Sequence, residues 1–307
     1  MGSVNERAPP RRRWRAALAV VLLWDAAFWQ KSSPRRFARL TVFACYGYVG
    51  VLLVLLALEN RCLFPGASSW GWCEPLADLD VEEVRLTSSA GDEIHAWWSA
   101  PPGWTPARGA VLYSHGNGGN LSYRSLNVWR WRHELDRGVL IYDYPGYGKS
   151  SGRPSEAGCY AAADAAYDFL ANDKRVPPGE VVLLGSSLGG AMATDLAVRR
   201  PHRMLILVNA FTSFPDMAQK VVPWLPARWL VRNQMNNLAK IAKCPGPVCI
   251  THGTADGLVP FSQGERLYAA APEPKRFLPR EGEPHAHPEG DAFYQAVVRF
   301  LDETRAK

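Results

Sequence analysis

The chain has 307 residues, 47% of them hydrophobic and 21% charged, with a formal net charge of +6. That is enough apolar material for one large α/β domain, or two small ones, with a shielded core, and it excludes general disorder. Much of the positive charge lies at one end, in Arg7, Arg11, Arg12, Arg13 and Arg15 and then Lys31, Arg35, Arg36 and Arg39, which suits an anionic membrane surface better than a nucleic-acid groove; no zinc-finger spacing or basic and aromatic periodicity supports nucleic acid as a partner.

In chain order, residues 1–36 form a basic segment. Within it, 14–31 is apolar but interrupted by Asp25, and reads as an interfacial helix with Trp14, Trp24, Phe28 and Trp29 near lipid headgroups; a second crossing is the alternative. Residues 40–58, LTVFACYGYVGVLLVLLAL, are 19 consecutive uncharged residues, and a helix of that length spans ~28 Å, the thickness of the hydrocarbon layer. The segment lies too far from the N-terminus for a short signal peptide, so 37–60 is expected to be an uncleaved anchor. The positives from Lys31 to Arg39 then favour a cytoplasmic N-terminus and an exoplasmic or lumenal remainder. MGSVNE lacks the Ser or Thr that a myristoylation signal needs.

A linker, 61–82, leads to a domain over 83–307. Strands are expected at 83–88 and 93–99, the second alternating as a half-buried edge hairpin would, then at 110–114, within GVLIYDYPGYGKSSG (138–152), which repeats the strand-into-glycine-loop arrangement, and at 181–184, 204–208, 247–251 and 275–278. Helices are expected at 121–135, 157–170, 189–199, 261–270 and 291–301. Repeated strand-helix units predict a mainly parallel central sheet covered on both faces. Residues 211–243 are long for a connection and broken by Pro215, Pro223 and Pro226, which predicts a small helical insertion beside the site.

Chemistry enters at VVLLGSSLGGAMATDL, 181–196. A short buried strand runs into Gly185-Ser186-Ser187-Leu188-Gly189, which fits the G-x-S-x-G nucleophile elbow only with Ser187 central and Ser186 as the variable residue. The flanking glycines let the strand turn sharply into a helix while one hydroxyl stands clear. Asp256 follows a later strand in VCITHGTADGLVP, and His285 and His287 follow the last strand in PREGEPHAHPEG. Brought together, an imidazole can take the serine proton while the carboxylate fixes its tautomer. Negative charge formed on the attacked carbonyl needs donors: the backbone N–H of Leu188, at the start of the helix, and that of Asn117 in the HGNGG loop.

Together, HGNGGN (115–120), YDYPGYGKSSGRPSEAG (142–158), GSSLGGA (185–191), FTSFPDMA (211–218) and HGTADGLVPF (252–261) resemble the α/β-hydrolase fold, in particular its membrane-anchored single-pass abhydrolase-domain group. The resemblance implies a serine hydrolase using Ser187, Asp256 and a late histidine, and an N-terminal anchor. The sequence departs from the simplest family pattern in offering two histidines. His285 is preferred, because Gly282 precedes it by three residues and Pro288 restricts the backbone of His287; His287 is the alternative base. His115 and Asp143 precede the nucleophile and are read as loop stabilisers.

The expected substrate is an acyl-containing small molecule, lipid or acylated protein, cleaved at a carboxylic ester or thioester. A membrane-anchored serine peptidase and a catalytically silent interaction protein of the same fold are the alternatives. No cofactor is required. No Cys or His spacing suggests a metal, and GYGKSSG lacks the phosphate-loop spacing. Cys62 with Cys73, and Cys244 with Cys249, are near enough in sequence to pair if the compartment is oxidising. Asn120-Leu121-Ser122 matches a glycosylation acceptor but sits beside the oxyanion loop.

Overall fold

The computed structural model describes residues 33–65, 71–286 and 289–305. The chain divides into two compact units, Met1–Leu58 and Glu59–Lys307. In the first unit, the apolar segment lies in a helix, α1, that runs on to Leu63 (Ser33–Leu63). Its stretch Phe37–Leu63 is long and apolar enough to cross a membrane, and none of its most apolar window is buried against protein. The expected interfacial helix at 14–31 lies outside the described residues.

The second unit is built on an eight-stranded sheet: β1 (Glu82–Thr87), β2 (Glu93–Ser99), β3 (Ala110–Ser114), β4 (Gly138–Tyr142), β5 (Val181–Ser186), β6 (Met204–Val208), β7 (Val248–Gly253) and β8 (Lys275–Arg280). The spatial order is β1-β2-β4-β3-β5-β6-β7-β8. β1 and β2 form an antiparallel hairpin, β2 joins β4 antiparallel, and every pairing from β4 to β8 is parallel. The sheet is therefore mixed. β1 and β2 form the edge hairpin that the alternation suggests, but β2 is not half-buried. All its residues but Glu93 are buried: Ile94, Ala96 and Trp98 enter one core, and Trp72, from the segment preceding β1, packs on His95 and Trp97 with ring centroids 5.3 and 5.5 Å away. The face that reads as polar is covered by a residue far upstream of the strand.

The continuous apolar runs of β3 to β7 reflect burial on both faces. One face presents Leu112, Leu140, Leu183, Leu205 and Ile250 to a core shared with α3 (Glu156–Asn172) and α4 (Gly189–Arg199); the other presents Val111, Ile141, Leu184 and Ile206. That second face is covered by α2 (Ser125–Leu135), preceded by a 3-10 turn, and by α9 (Asp291–Glu303), which meet where Trp131 stands edge-on to Tyr294 at 4.9 Å. Each fully buried aliphatic contributes ~1.5–3 kcal/mol, so the two cores outweigh local propensity in fixing the strands.

The insertion after β6 folds as α5 (Phe214–Val221), α6 (Ala227–Leu230) and α7 (Asn237–Ile241); α8 (Phe261–Ala270) follows β7. α5 begins where expected of a capped helix, with Ser213 Oγ accepting from Asp216 N at 3.2 Å and Pro215 in its first turn. The segment 232–235 between α6 and α7 is held by two carboxylates. Glu59 accepts from the backbone N–H groups of Arg232 and Asn233 at 2.9 and 2.8 Å, and Glu156 from those of Gln234 and Met235 at 2.6 and 2.9 Å. Glu59 and Asn60, expected within the anchor, are in this way parts of the second unit. All six cysteines are free thiols; Cys249 is buried in β7, and neither of the pairs that the spacing permits is bonded.

Candidate active site

Ser187 stands at the end of β5, at the turn into α4, with φ of 51°. A non-glycine residue in this left-handed region is strained, and such strain persists only where the surroundings enforce it. Ser187 N donates to Val208 O at 2.8 Å, and the following turn closes when Gly190 N reaches Ser187 O at 3.0 Å. The neighbours leave no space for side chains. A Cβ on Gly185 would meet the backbone of Gly189 and Gly190, and one on Gly189 would overlap the carbonyls of Ser114 and His115. The same packing brings the HGNGG loop to the nucleophile: a Cβ on Gly116 would lie 3.5 Å from Ser187 Cβ.

His285 lies between Ser187 and Asp256. Its Nε2 is 3.1 Å from Ser187 Oγ and its Nδ1 is 2.6 Å from Asp256 Oδ2. A carboxylate only accepts, so Nδ1–H donates to Asp256, leaving Nε2 of the neutral ring to accept from the serine hydroxyl. Burial pushes the Asp256 carboxyl up, but hydrogen bonds from His252 and His285, with the charge of His285 and the Val259 N–H, outweigh it and hold the group well below the usual carboxylate range. Asp256 is buried, and its Oδ1 accepts from the N–H groups of Leu258 and Val259 at 2.9 and 2.8 Å. The arrangement can accept a proton from a hydroxyl and stabilise the resulting imidazolium. His287 lies outside the described residues.

Leu188 directly follows Ser187 and caps α4. Asn117 lies in the loop after β3, its side chain held at both ends: Nδ2 donates to Leu63 O at 2.7 Å and Oδ1 accepts from Tyr147 OH at 2.5 Å. Behind the loop, His115 Nε2 is 3.2 Å from Asp143 Oδ1, which also accepts from Leu121 N at 2.8 Å. Both side chains are buried, and Tyr144 OH donates to His115 O at 2.5 Å. Asn120 is buried too, with its amide donating to Gly71 O and its oxygen accepting from Ser122, so it does not present a glycosylation acceptor.

Two residues at the site escaped the sequence reading. Asn209, just after β6 with φ of 48°, donates to His285 O at 2.6 Å and accepts from Gly253 N and from an Arg280 Nη2, both at 3.0 Å. One amide thereby ties together the ends of β6, β7 and β8 and the base loop. Asparagine's tolerance of the left-handed region is the available signal, though it needs the neighbouring strands to be interpreted. His252, fully buried, donates from Nε2 to Val259 O at 3.0 Å and lies 3.4 Å from Asp256 Oδ2, bracing the acid loop from beneath.

A cleft of about 270 Å³ opens beside His285, lined among others by Tyr113, Arg124, Arg130, Glu289 and Tyr294. Arg124 is fixed by Gly118 O at 2.6 Å, and Arg130 by Asp291 at 2.6 Å with its guanidinium over the Tyr294 ring. Burial pushes the Glu289 carboxyl up and that of the Tyr113 hydroxyl up to about 12. Among the described residues, no cluster of His, Cys, Asp or Glu could hold a metal ion.

Residues 111–304 match the model of the alpha/beta hydrolase family. The chain is 41% identical over 279 residues to the uncharacterized protein Rv2307c of Mycobacterium tuberculosis, covering 89% of this chain and 98% of that one. It is 31% identical over 232 residues to the uncharacterized protein YfhR of Escherichia coli, covering 72% and 80%. Among solved structures, Est1E from Butyrivibrio proteoclasticus, with ferulic acid bound, superposes with a TM-score of 0.62 at 18% identity, over 73% of this chain and all of that one. The acetyl xylan esterase from a Paenibacillus species gives 0.60 at 19%, over 75% and 86%. At those identities the likeness is one of fold.

Proposed function

The chain belongs to the alpha/beta hydrolase family, and from that premise we propose that it is a serine hydrolase cleaving carboxylic esters or thioesters through an acyl-enzyme, with Ser187 as nucleophile, His285 as base and Asp256 as its orienting acid. The observation that carries this reading is the imidazole of His285 bridging a strained serine and an ionised, buried carboxylate. The esterases that share the fold support the choice of ester chemistry.

The steps follow from the geometry. Ser187 Oγ gives its proton to His285 Nε2 as it bonds to the acyl carbon, and the carbonyl oxygen takes up the negative charge. Asp256 stabilises the imidazolium through Nδ1–H. The backbone N–H groups of Leu188 and Asn117 receive the oxyanion, a donor of this kind being worth ~3 kcal/mol in the transition state. Collapse expels the alcohol or thiol, which recovers the proton from His285. A water then repeats the cycle on the acyl-enzyme.

Residues 40–58 cross the membrane in this reading, with a cytoplasmic N-terminus and the hydrolase domain on the exoplasmic or lumenal side; support comes from the uncharged helix and the flanking positives.

A fluorophosphonate probe is expected to label the folded wild-type protein and not Ser187→Ala. Absence of wild-type labelling across several probe sizes would overturn the enzyme reading in favour of a silent scaffold. Matched acyl esters, thioesters and peptides then rank the leaving group, and faster cleavage of peptides reverses the ester assignment.

A further inference from the structure

The insertion between β6 and β7 carries large apolar side chains on its outside. Val221 is 73% exposed, Trp224 56% and Trp229 89%, while Leu258, in the loop after Asp256, is 55% exposed. Val221 and Leu258 share one neighbourhood, because Lys220 Nζ donates to the carbonyls of both Gly257 and Leu258 at 2.8 Å. Basic residues neighbour the exposed side chains in sequence: Lys220, Arg228, which pairs with Asp216 at 3.6 Å, and Arg232, which pairs with Glu59. Indoles beside arginines and lysines form the composition of a surface that sits at lipid headgroups, where a flat amphipathic ring and a cation are both satisfied.

The position of this surface is fixed to the first residues of the second unit. Glu59 directly follows Leu58, the last residue of the uncharged run. Its carboxylate binds Arg232 Nε at 3.0 Å and Asn233 Nδ2 at 2.7 Å, as well as both backbone N–H groups. Asn233 Nδ2 also reaches Asn60 Oδ1 at 2.9 Å. Trp229 is three residues from Arg232, at most ~11 Å along the chain, so the exposed side chains lie a short chain length from the end of the uncharged run.

We infer that the insertion docks on the lipid surface through Trp229, Trp224 and Val221, so that the enzyme works on acyl lipids resident in the bilayer to which it is attached. This rests on the membrane-attached hydrolase reading above and deepens it by naming the occupant of the insertion's outer face: a phospholipid headgroup layer. Lys220 connects that face to the loop of Asp256, the proposed catalytic acid, and Glu59 connects it to the start of the second unit.

The test uses the full chain in vesicles of phosphatidylcholine and phosphatidylglycerol, with and without bromine on the acyl chains, in the Ser187→Ala background so that no lipid is consumed. Bromine is expected to quench a component of tryptophan emission that disappears in Trp229→Phe and shrinks in Trp224→Phe. Equal quenching in wild type and both variants overturns the docking, and points to a protein partner for the face. Flotation with the vesicles reports attachment separately from docking. In the active protein, Trp224→Ser/Trp229→Ser is expected to lower hydrolysis of a vesicle-embedded ester by about tenfold or more relative to soluble p-nitrophenyl acetate, since two indoles leave the interface. An unchanged ratio also overturns it, whereas a wild type that hydrolyses neither ester, with Trp229 still quenched, contradicts the esterase reading alone.

Discussion

The serine elbow and the histidine loop meet within one hydrogen bond, yet they are built in opposite ways. The elbow is made locally: five consecutive residues between a strand and a helix, with glycines where any Cβ would strike backbone and a serine held at φ of 51°. The histidine loop is turned by its own Arg280–Glu283 pair at 2.6 Å, but that pair does not place the ring. Its imidazole is placed by Asp256 from the loop after β7, and its backbone by Asn209 from the end of β6. The proposed nucleophile can thus be read from a pentapeptide, whereas the proposed base, held from other strand ends, leaves only scattered single residues.

The sharpest way to break this contrast is to remove the imidazole itself. His285→Ala is expected to slow acylation of Ser187 by on the order of 10⁵-fold, with His287→Ala near wild type, read by single-turnover acylation of variants whose folding has been verified. The reverse result hands the base to His287 and leaves the elbow as described.

Next comes the carboxylate that fixes the ring. Asp256→Asn is expected to cost about 10⁴-fold in kcat, because an amide permits the wrong tautomer. It also tests stability. The folded Asp256 carboxyl lies below its unfolded value of ~3.9, so its ionised, hydrogen-bonded form stabilises the fold fully above that pH, and the benefit is lost as pH falls through the lowered value. The gap in Tm between wild type and Asp256→Asn should therefore be widest near neutrality and close on acidification; a gap constant down to strong acid would contradict the ionised assignment.

The smallest expected effect sharpens the comparison most. Asn209→Gly keeps a backbone at ease with positive φ while removing the amide that holds His285 O. We expect kcat to fall by about tenfold with KM little changed, since the base is displaced and the cleft is not. Unchanged kcat with lowered Tm would make Asn209 a purely structural clasp.

Much of the sheet was legible because buried parallel strands declare themselves as apolar runs, as in β3, β4 and β6. The edge hairpin of β1 and β2 is legible too, but the full burial of β2 is not, because Trp72, which covers His95 and Trp97, lies outside any periodicity of that strand. At the site, Ser187, Asp256 and His285 stand in the order their motifs suggested, and the structure brings their side chains into contact. Asn209 and His252 were invisible for a different reason: each acts through the backbone or side chain of a loop far along the chain, and neither belongs to a spacing pattern. Glu59 shows the same limit, looking like the polar end of an apolar helix while gripping residues more than 170 positions away.

The amide of Asn117 reaches out of the HGNGG loop to the carbonyl of Leu63, and Phe64 beside it is buried edge-on against Phe214. The first residues of the second unit therefore touch both the loop after β3 and the insertion after β6. A truncation that begins at Glu59 keeps the carboxylate that clamps Arg232 and Asn233 and the carbonyl that holds Asn117, whereas one that begins at Pro65 removes both together.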